Sequence, residues 1–321
     1  MVSVQASKRL GQVKTRSCQM VYGQTHTDPI GRWVIFLNWG PETESGILKN
    51  MRPRPSSPQL RLVLYSGGQK RSNHILHREV VRLAFNYRES LTPIQKRKRA
   101  SQPLSLTYIP FMADGSAPYF QRAMRRYRAV GIERFFILEP DHLPSREELQ
   151  TLLQSDVIYL AGGNTYTFLH LLRKSKLISP LRKYALQGGV LAGLSAGALI
   201  LTSSIGLAGV PSYDADENEL KLQTPAELEG LGLLPFEFSP HDTLAVRRTL
   251  ELTEYCSRFR TPIFAATDGS GLVIDEKRIF SMGQVRYFSP HSKKPLLLLK
   301  KNLKKAQAVI QSEIGFHITR L

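Results

Sequence analysis

Between residues 61 and 201 the chain repeats one unit: a short, unbroken apolar run, a turn, and a helical pattern. The runs are Arg61-Leu62-Val63-Leu64-Tyr65, Leu104–Ile109, Arg134–Leu138, Val157–Leu160 and Val190–Ala192. Helical spacing follows over Asn73–Phe85, Pro118–Val130, a stretch opened by Ser145 and Glu148 in capping-box spacing, 165–174, 179–187 and Ala196–Leu201. Strands that alternate with helices in this way build a parallel sheet with helices on both faces. Runs that are continuous, rather than alternating with polar residues, suit strands buried on both sides. The expected fold class is therefore α/β: three layers around a mostly parallel sheet.

The polar, basic stretch 88–102 reads as a loop. Beyond 205 the pattern loosens. Strand-like runs return at Ile263–Ala266 and Gly271–Ile274, a last strand pair is expected at Ile279–Met282 and Gln284–Tyr287, and an amphipathic basic helix near 297–311. Gly188 to Tyr213 carries no charge, which meets the length of a membrane span. Its many glycines and Pro211 instead indicate a buried strand, a tight turn and a buried helix.

The 321 residues carry 44 Lys+Arg against 26 Asp+Glu, a net charge of +18. This length and composition belong to a globular protein of one large or two small domains. Residues 1–58 hold little periodicity and end in a proline-rich stretch, so they read as an irregular basic extension, with Trp33–Leu37 as its one strand candidate. Residues 59–288 read as the α/β domain and 289–321 as a lysine-rich tail with a helix on or near it. So basic a chain is able to contact nucleic acid or an anionic membrane. No zinc finger, basic zipper or aromatic-interleaved basic motif accompanies the charge, so neither is the expected main partner. Two cysteines, Cys18 and Cys256, rule out a disulfide framework and a four-cysteine zinc site. Their sparseness suits a reducing compartment, and the cytoplasm is the expected location.

Ligands of such sheets bind beyond the carboxyl ends of the strands. Two glycine-rich turns stand there: Gly162-Gly163-Asn164 and Gly193-Leu194-Ser195-Ala196-Gly197. The second has the form G-x-S-x-G, the pattern of a nucleophile elbow. A strand turns sharply into a helix there and exposes a strained serine, and small neighbours let the backbone pass. The Ala196 amide would then face a developing oxyanion. A serine nucleophile needs a base. Among eight histidines, His241 in Ser239-Pro240-His241-Asp242 is best placed, just past an apolar run and a proline, although spacing alone does not single it out.

Together these pieces resemble, in order, the serine peptidase family of dipeptidase E (aspartyl dipeptidase) and cyanophycinase, relatives of class I glutamine amidotransferase folds. The resemblance covers residues 60–288. It rests on Leu64-Tyr65-Ser66-Gly67-Gly68, Tyr159–Thr165, Ala192–Ala198, and Leu231–Phe236 with Ser239-Pro240-His241. It implies Ser195 as nucleophile, His241 as general base, and Gly162 or Gly163 joining Ala196 in an oxyanion hole. For the triad acid it offers Asp268, in Asp268-Gly269-Ser270-Gly271, or Glu219, with Asp214, Asp216 and Glu217 close by. Asp268 is favoured because a strand end is the firmer mount. An acidic substrate residue would need a cation, for which Arg247 and Arg248 are candidates; Asn164 is a further substrate-binding candidate. The implied activity is cleavage of small peptides, including N-terminal Asp-X dipeptides, through an acyl-enzyme, with no metal or cofactor. A homodimer is the assembly left open. The competing readings are an amidotransferase-like or esterase activity on the same scaffold, and a non-enzymatic protein that binds anionic partners.

Overall fold

The computed structural model describes residues 59–68, 73–210, 226–298 and 303–320, together with the backbone of a small ladder between β1 (His26–Thr27) and β2 (Trp33–Val34). The chain divides into two units, Met1–Arg54 and Pro55–Leu321. In the first, β2 falls within the expected strand Trp33–Leu37, whereas its antiparallel partner β1 was not expected. The rest of the expected extension lies outside the described residues.

The second unit follows the expected alternation. It runs β3 (Arg61–Tyr65), α1 (Asn73–Ser90), α2 (Pro93–Arg99), β4 (Leu104–Ile109), α3 (Ala117–Arg128), β5 (Ile132–Ile137), α4 (Arg146–Gln154), β6 (Val157–Leu160), α5 (Thr165–Lys174), α6 (Ile178–Leu186), β7 (Val190–Leu194) and α7 (Ala196–Ile200). There follow β8 (Glu237–Ser239), α8 (Val246–Phe259), β9 (Ile263–Ala266), β10 (Gly271–Asp275), β11 (Arg278–Met282), β12 (Val285–Phe288), β13 (Leu296–Leu297), α9 (Leu303–Ile314) and β14 (His317–Arg320).

The main sheet has eight strands in the order β14-β11-β10-β3-β7-β6-β4-β5. β3, β7, β6, β4 and β5 are parallel, and β10 joins β3 antiparallel. The unbroken apolar runs are explained by burial on both faces. Leu62, Leu64, Leu191, Ile158 and Leu160 point into one core, with α5, α6 and α7. Their neighbours Val63, Tyr65, Ala192, Val157 and Tyr159 point into the other, with α1 and α3. This is the α/β class expected from the sequence.

Four features differ from the sequence reading. The stretch 88–102 is not a loop: α1 continues to Ser90, and α2 follows. Thr92 caps α2 through a capping box with Gln95, although the helix buries no side chain. The strands at 278–288 are not a pair. β11 pairs with β10, whereas β12 pairs with β9 in a second, four-stranded sheet of order β13-β12-β9-β8. Gly283, at φ +76°, turns the chain between the two sheets. The last helix begins at Leu303, after the short strand β13. Finally, residues 289–320 do more than trail from the domain: β13 extends the second sheet and β14 lies parallel to β11 at the edge of the first. Among the described residues, no helix is long and apolar enough to cross a membrane.

Beneath β3 lies a buried polar cluster. The Tyr65 hydroxyl is 2.9 Å from His77 Nδ1 and 2.9 Å from the Tyr127 hydroxyl. Burial, and then the Arg126 charge, push the His77 imidazole down from 6.5 to about 4. The unfolded chain takes up a proton near 6.5, whereas the folded protein takes one up only near 4. This contribution to stability is complete above pH 6.5 and is lost as the pH falls toward 4, for a total of about 3 kcal/mol. Urea unfolding at pH 7 and pH 4 should show that loss, and a His77→Gln variant should show correspondingly less of it.

Candidate active site

The carboxyl ends of β3, β6, β7, β8 and β9 converge. The β7 end carries Ser195, whose backbone sits at φ +50°, ψ −107°. A non-glycine residue in that region is strained, as an elbow requires. The flanking glycines are steric necessities. A Cβ at Gly193 would strike the backbone of Gly197, and one at Gly197 would strike the Leu160 carbonyl. Two backbone hydrogen bonds lock the turn, Ser195 N–H to the Tyr65 carbonyl at 3.0 Å and Gly197 N–H to the Ala161 carbonyl at 3.1 Å.

His241 follows β8 and is also held at positive φ, +56°. Its Nε2 lies 2.8 Å from Ser195 Oγ, and its Nδ1 lies 2.6 Å from Asp268 Oδ1. An ionised carboxylate only accepts, so Nδ1–H donates to Asp268, and Nε2 is left to accept from the serine hydroxyl. Asp268 stands just past the end of β9. The imidazole and the carboxylate are both about half exposed, at 44% and 46%. Glu219, Asp214, Asp216 and Glu217 lie outside the described residues.

The three groups open into a cleft of about 550 Å³ walled by Gly163, Leu199, Leu207, Ala208, Pro240 and Arg248. Gly163 faces this cleft, and a Cβ on it would run into the Phe111 ring. Its neighbour Gly162 packs against Leu194 instead. Ala196 is the first residue of α7 and is buried. The Asn164 side chain caps α5 by accepting from Thr167 N–H at 2.9 Å. The two arginines part company. Arg247 stands 88% exposed and pairs with Glu251, away from the cleft wall. Arg248 is buried in that wall, and its guanidinium donates to Ser239 Oγ at 2.9 Å and to the Val210 carbonyl. Cys256 is buried in α8, and burial pushes its thiol up to about 12, with Glu313 and Glu237 adding to the shift. It is no rival nucleophile. Among the described residues no three His, Cys, Asp or Glu side chains gather as a metal-binding group.

Sequence reasoning missed the residues that hold this arrangement. Ser66, fully buried after β3, accepts from His241 N–H at 2.8 Å and donates to the Ala266 carbonyl at 2.8 Å. One hydroxyl thus ties the histidine loop to the strand that carries Asp268. Next door, Asp242 and Arg286 form a buried two-pronged pair, with both bonds at 2.7 Å, that pins the same loop to β12. Ser66 sits in one of the motifs quoted above, but nothing in sequence reveals partners 175 and 200 positions away.

Gly67 fits flush against the imidazole and the carboxylate. A Cβ there would overlap both His241 Cε1 and Asp268 Oδ1. Gly67→Ala is expected to push these two groups off the serine and lower turnover by about 100-fold or more, the scale of a 1 Å misplacement. The melting temperature should change little, because both displaced groups border the open cleft. Steady-state kinetics beside a thermal melt checks both halves.

The family model described as peptidase family S51 matches residues 84–282, more than half of the chain. A probable alpha-aspartyl dipeptidase of Drosophila melanogaster is 29% identical over 149 residues, covering 44% of this chain and 58% of the relative. A peptidase E of Nostoc sp. is 26% identical over 145 residues, covering 44% and 53%. The chain thus spans little more than half the length of these curated relatives. In fold, it is similar to the crystal structure of a peptidase from an acI-B1 Actinobacterium, with a TM-score of 0.52 and 14% identity over 75% of this chain and 95% of that one. On the strength of the family match, the chain belongs to peptidase family S51.

Proposed function

We propose that this protein is a serine peptidase that cleaves small peptides through an acyl-enzyme. The observation that carries the reading is the unbroken chain of hydrogen bonds from Ser195 Oγ through His241 to Asp268. In this reading Ser195 attacks the scissile carbonyl while His241 Nε2 takes its proton. Asp268 holds the imidazole in the tautomer that leaves Nε2 open and stabilises the imidazolium that forms. The Ala196 amide and that of Gly163, the glycine of its pair that faces the cleft, receive the oxyanion. His241 then returns its proton to the leaving amine, and a water repeats the sequence to release the acid. The elbow strain at Ser195 serves this chemistry by fixing the hydroxyl before substrate arrives.

A cleft of about 550 Å³ suits a small peptide rather than a folded protein. N-terminal Asp-X dipeptides are the substrates suggested by the named relatives, with Arg248 as the cation in the wall of the cleft. The test is a fluorophosphonate adduct mapped to its residue, run beside a panel of Asp-X dipeptides, other dipeptides, aryl esters and free glutamine. An adduct on Ser195 with dipeptide cleavage supports the reading. An adduct elsewhere would overturn the nucleophile, and turnover confined to esters or glutamine would overturn the peptidase.

A further inference from the structure

A second cavity, of about 630 Å³, opens between α2, the edge strand β5 and the end of α4. It lies toward the amino-terminal ends of β4 and β6, where Ser105 and Ser155 stand, whereas Ser195 and His241 occupy carboxyl ends. Lys98, Arg99 and Arg134 line it together with the amides of Gln95, Gln102 and Gln154. Among the described residues of its wall there is no carboxylate.

The nearest acid, Asp156, is already spent. Its side chain is 1% exposed and accepts from Arg88 through two bonds of 2.8 Å, from Arg99 at 3.0 Å, and from the Ser105 amide and hydroxyl at 2.8 Å each. Burial alone would raise this carboxyl, but the bonds from Arg88 and Ser105 and the Arg88 charge hold it below its ordinary value. One negative charge therefore faces two guanidiniums, and the clasp is net positive before Lys98 and Arg134 are counted. Arg99 is anchored by this clasp, and Arg134 by Gln102 Oε1 at 2.5 Å. Two guanidiniums held in place lose little freedom on binding, and their forks match the oxygens of a phosphate.

We infer that this cavity is a binding site for a compact phosphoanion, a small molecule bearing a di- or triphosphate group. Its volume lies in the range of small-molecule sites, and its wall combines three cations and three side-chain amides with Phe136, Thr151 and two serines. The site is separate from the proposed catalytic groups, so its occupant is not the peptide substrate.

Calorimetric titration of the full chain with inorganic phosphate, pyrophosphate and tripolyphosphate at fixed low salt tests the inference. Saturable one-to-one binding that tightens from phosphate to tripolyphosphate is expected. Lys98→Ala with Arg134→Ala should weaken it by about tenfold or more. Lys304→Ala with Lys305→Ala, the same loss of charge from exposed positions on α9, should leave it within about twofold. Absence of saturable binding to the wild-type chain would overturn the site. So would an equal loss in both double variants, because the attraction would then come from the overall charge of +18. The rate of fluorophosphonate labelling at Ser195, followed in parallel, keeps this outcome distinct from failure of the peptidase reading.

Discussion

Ser195→Ala is expected to lower peptide turnover by about 10⁵- to 10⁶-fold, the scale on which a triad nucleophile is lost. The variant should keep its fold. The hydroxyl hydrogen-bonds His241 Nε2, and the strained backbone at φ +50° is set by Gly193, Gly197 and two main-chain bonds rather than by the side chain. A melting temperature within a degree or two of wild type, with peptide cleavage abolished in a discontinuous chromatographic assay, is the result that fits. Cleavage at near wild-type rate would remove the serine from the mechanism altogether.

Asp268→Asn is expected to cost about 10⁴-fold in turnover with little change in KM. The carboxylate accepts Nδ1–H at 2.6 Å, whereas an amide nitrogen in its place would present a donor and favour the wrong tautomer. Glu219→Gln measured alongside gives the contrast, and its loss should be small. Equal and modest losses in both variants would mean that neither carboxylate orients the imidazole.

The parts of this protein that were legible in sequence are those written in local pattern. β3, β6 and β7 appear as continuous apolar runs because successive side chains enter different cores, and the elbow appears because its glycines are forced by contacts within a few residues or with the adjacent strand. α2 was not legible from periodicity. Its four basic residues look like solvated loop, and the helix is fixed by a capping box at Thr92 and Gln95 rather than by a buried face. β8 was missed because it begins with Glu237, a residue that is seldom buried. There Tyr255 donates to the carboxyl at 3.0 Å, and burial pushes that carboxyl up to about 7. The Ser66 clamp and the Asp242–Arg286 pair join distant segments, so they become visible only when the chain has folded. Arg247 and Arg248 illustrate the same limit. They are adjacent in sequence, but they point to opposite environments because a helix turns about 100° between them.

The Ser66 hydroxyl has a consequence for biosynthesis. It waits at the end of the first strand of the sheet for partners that are translated some two hundred codons later. A nascent chain that has completed the parallel strands would already display the elbow, yet the imidazole and the carboxylate would still be unmade or unmoored. On the proposed mechanism, the groups that activate the serine come together only once the segment through Asp268 has docked on the parallel strands.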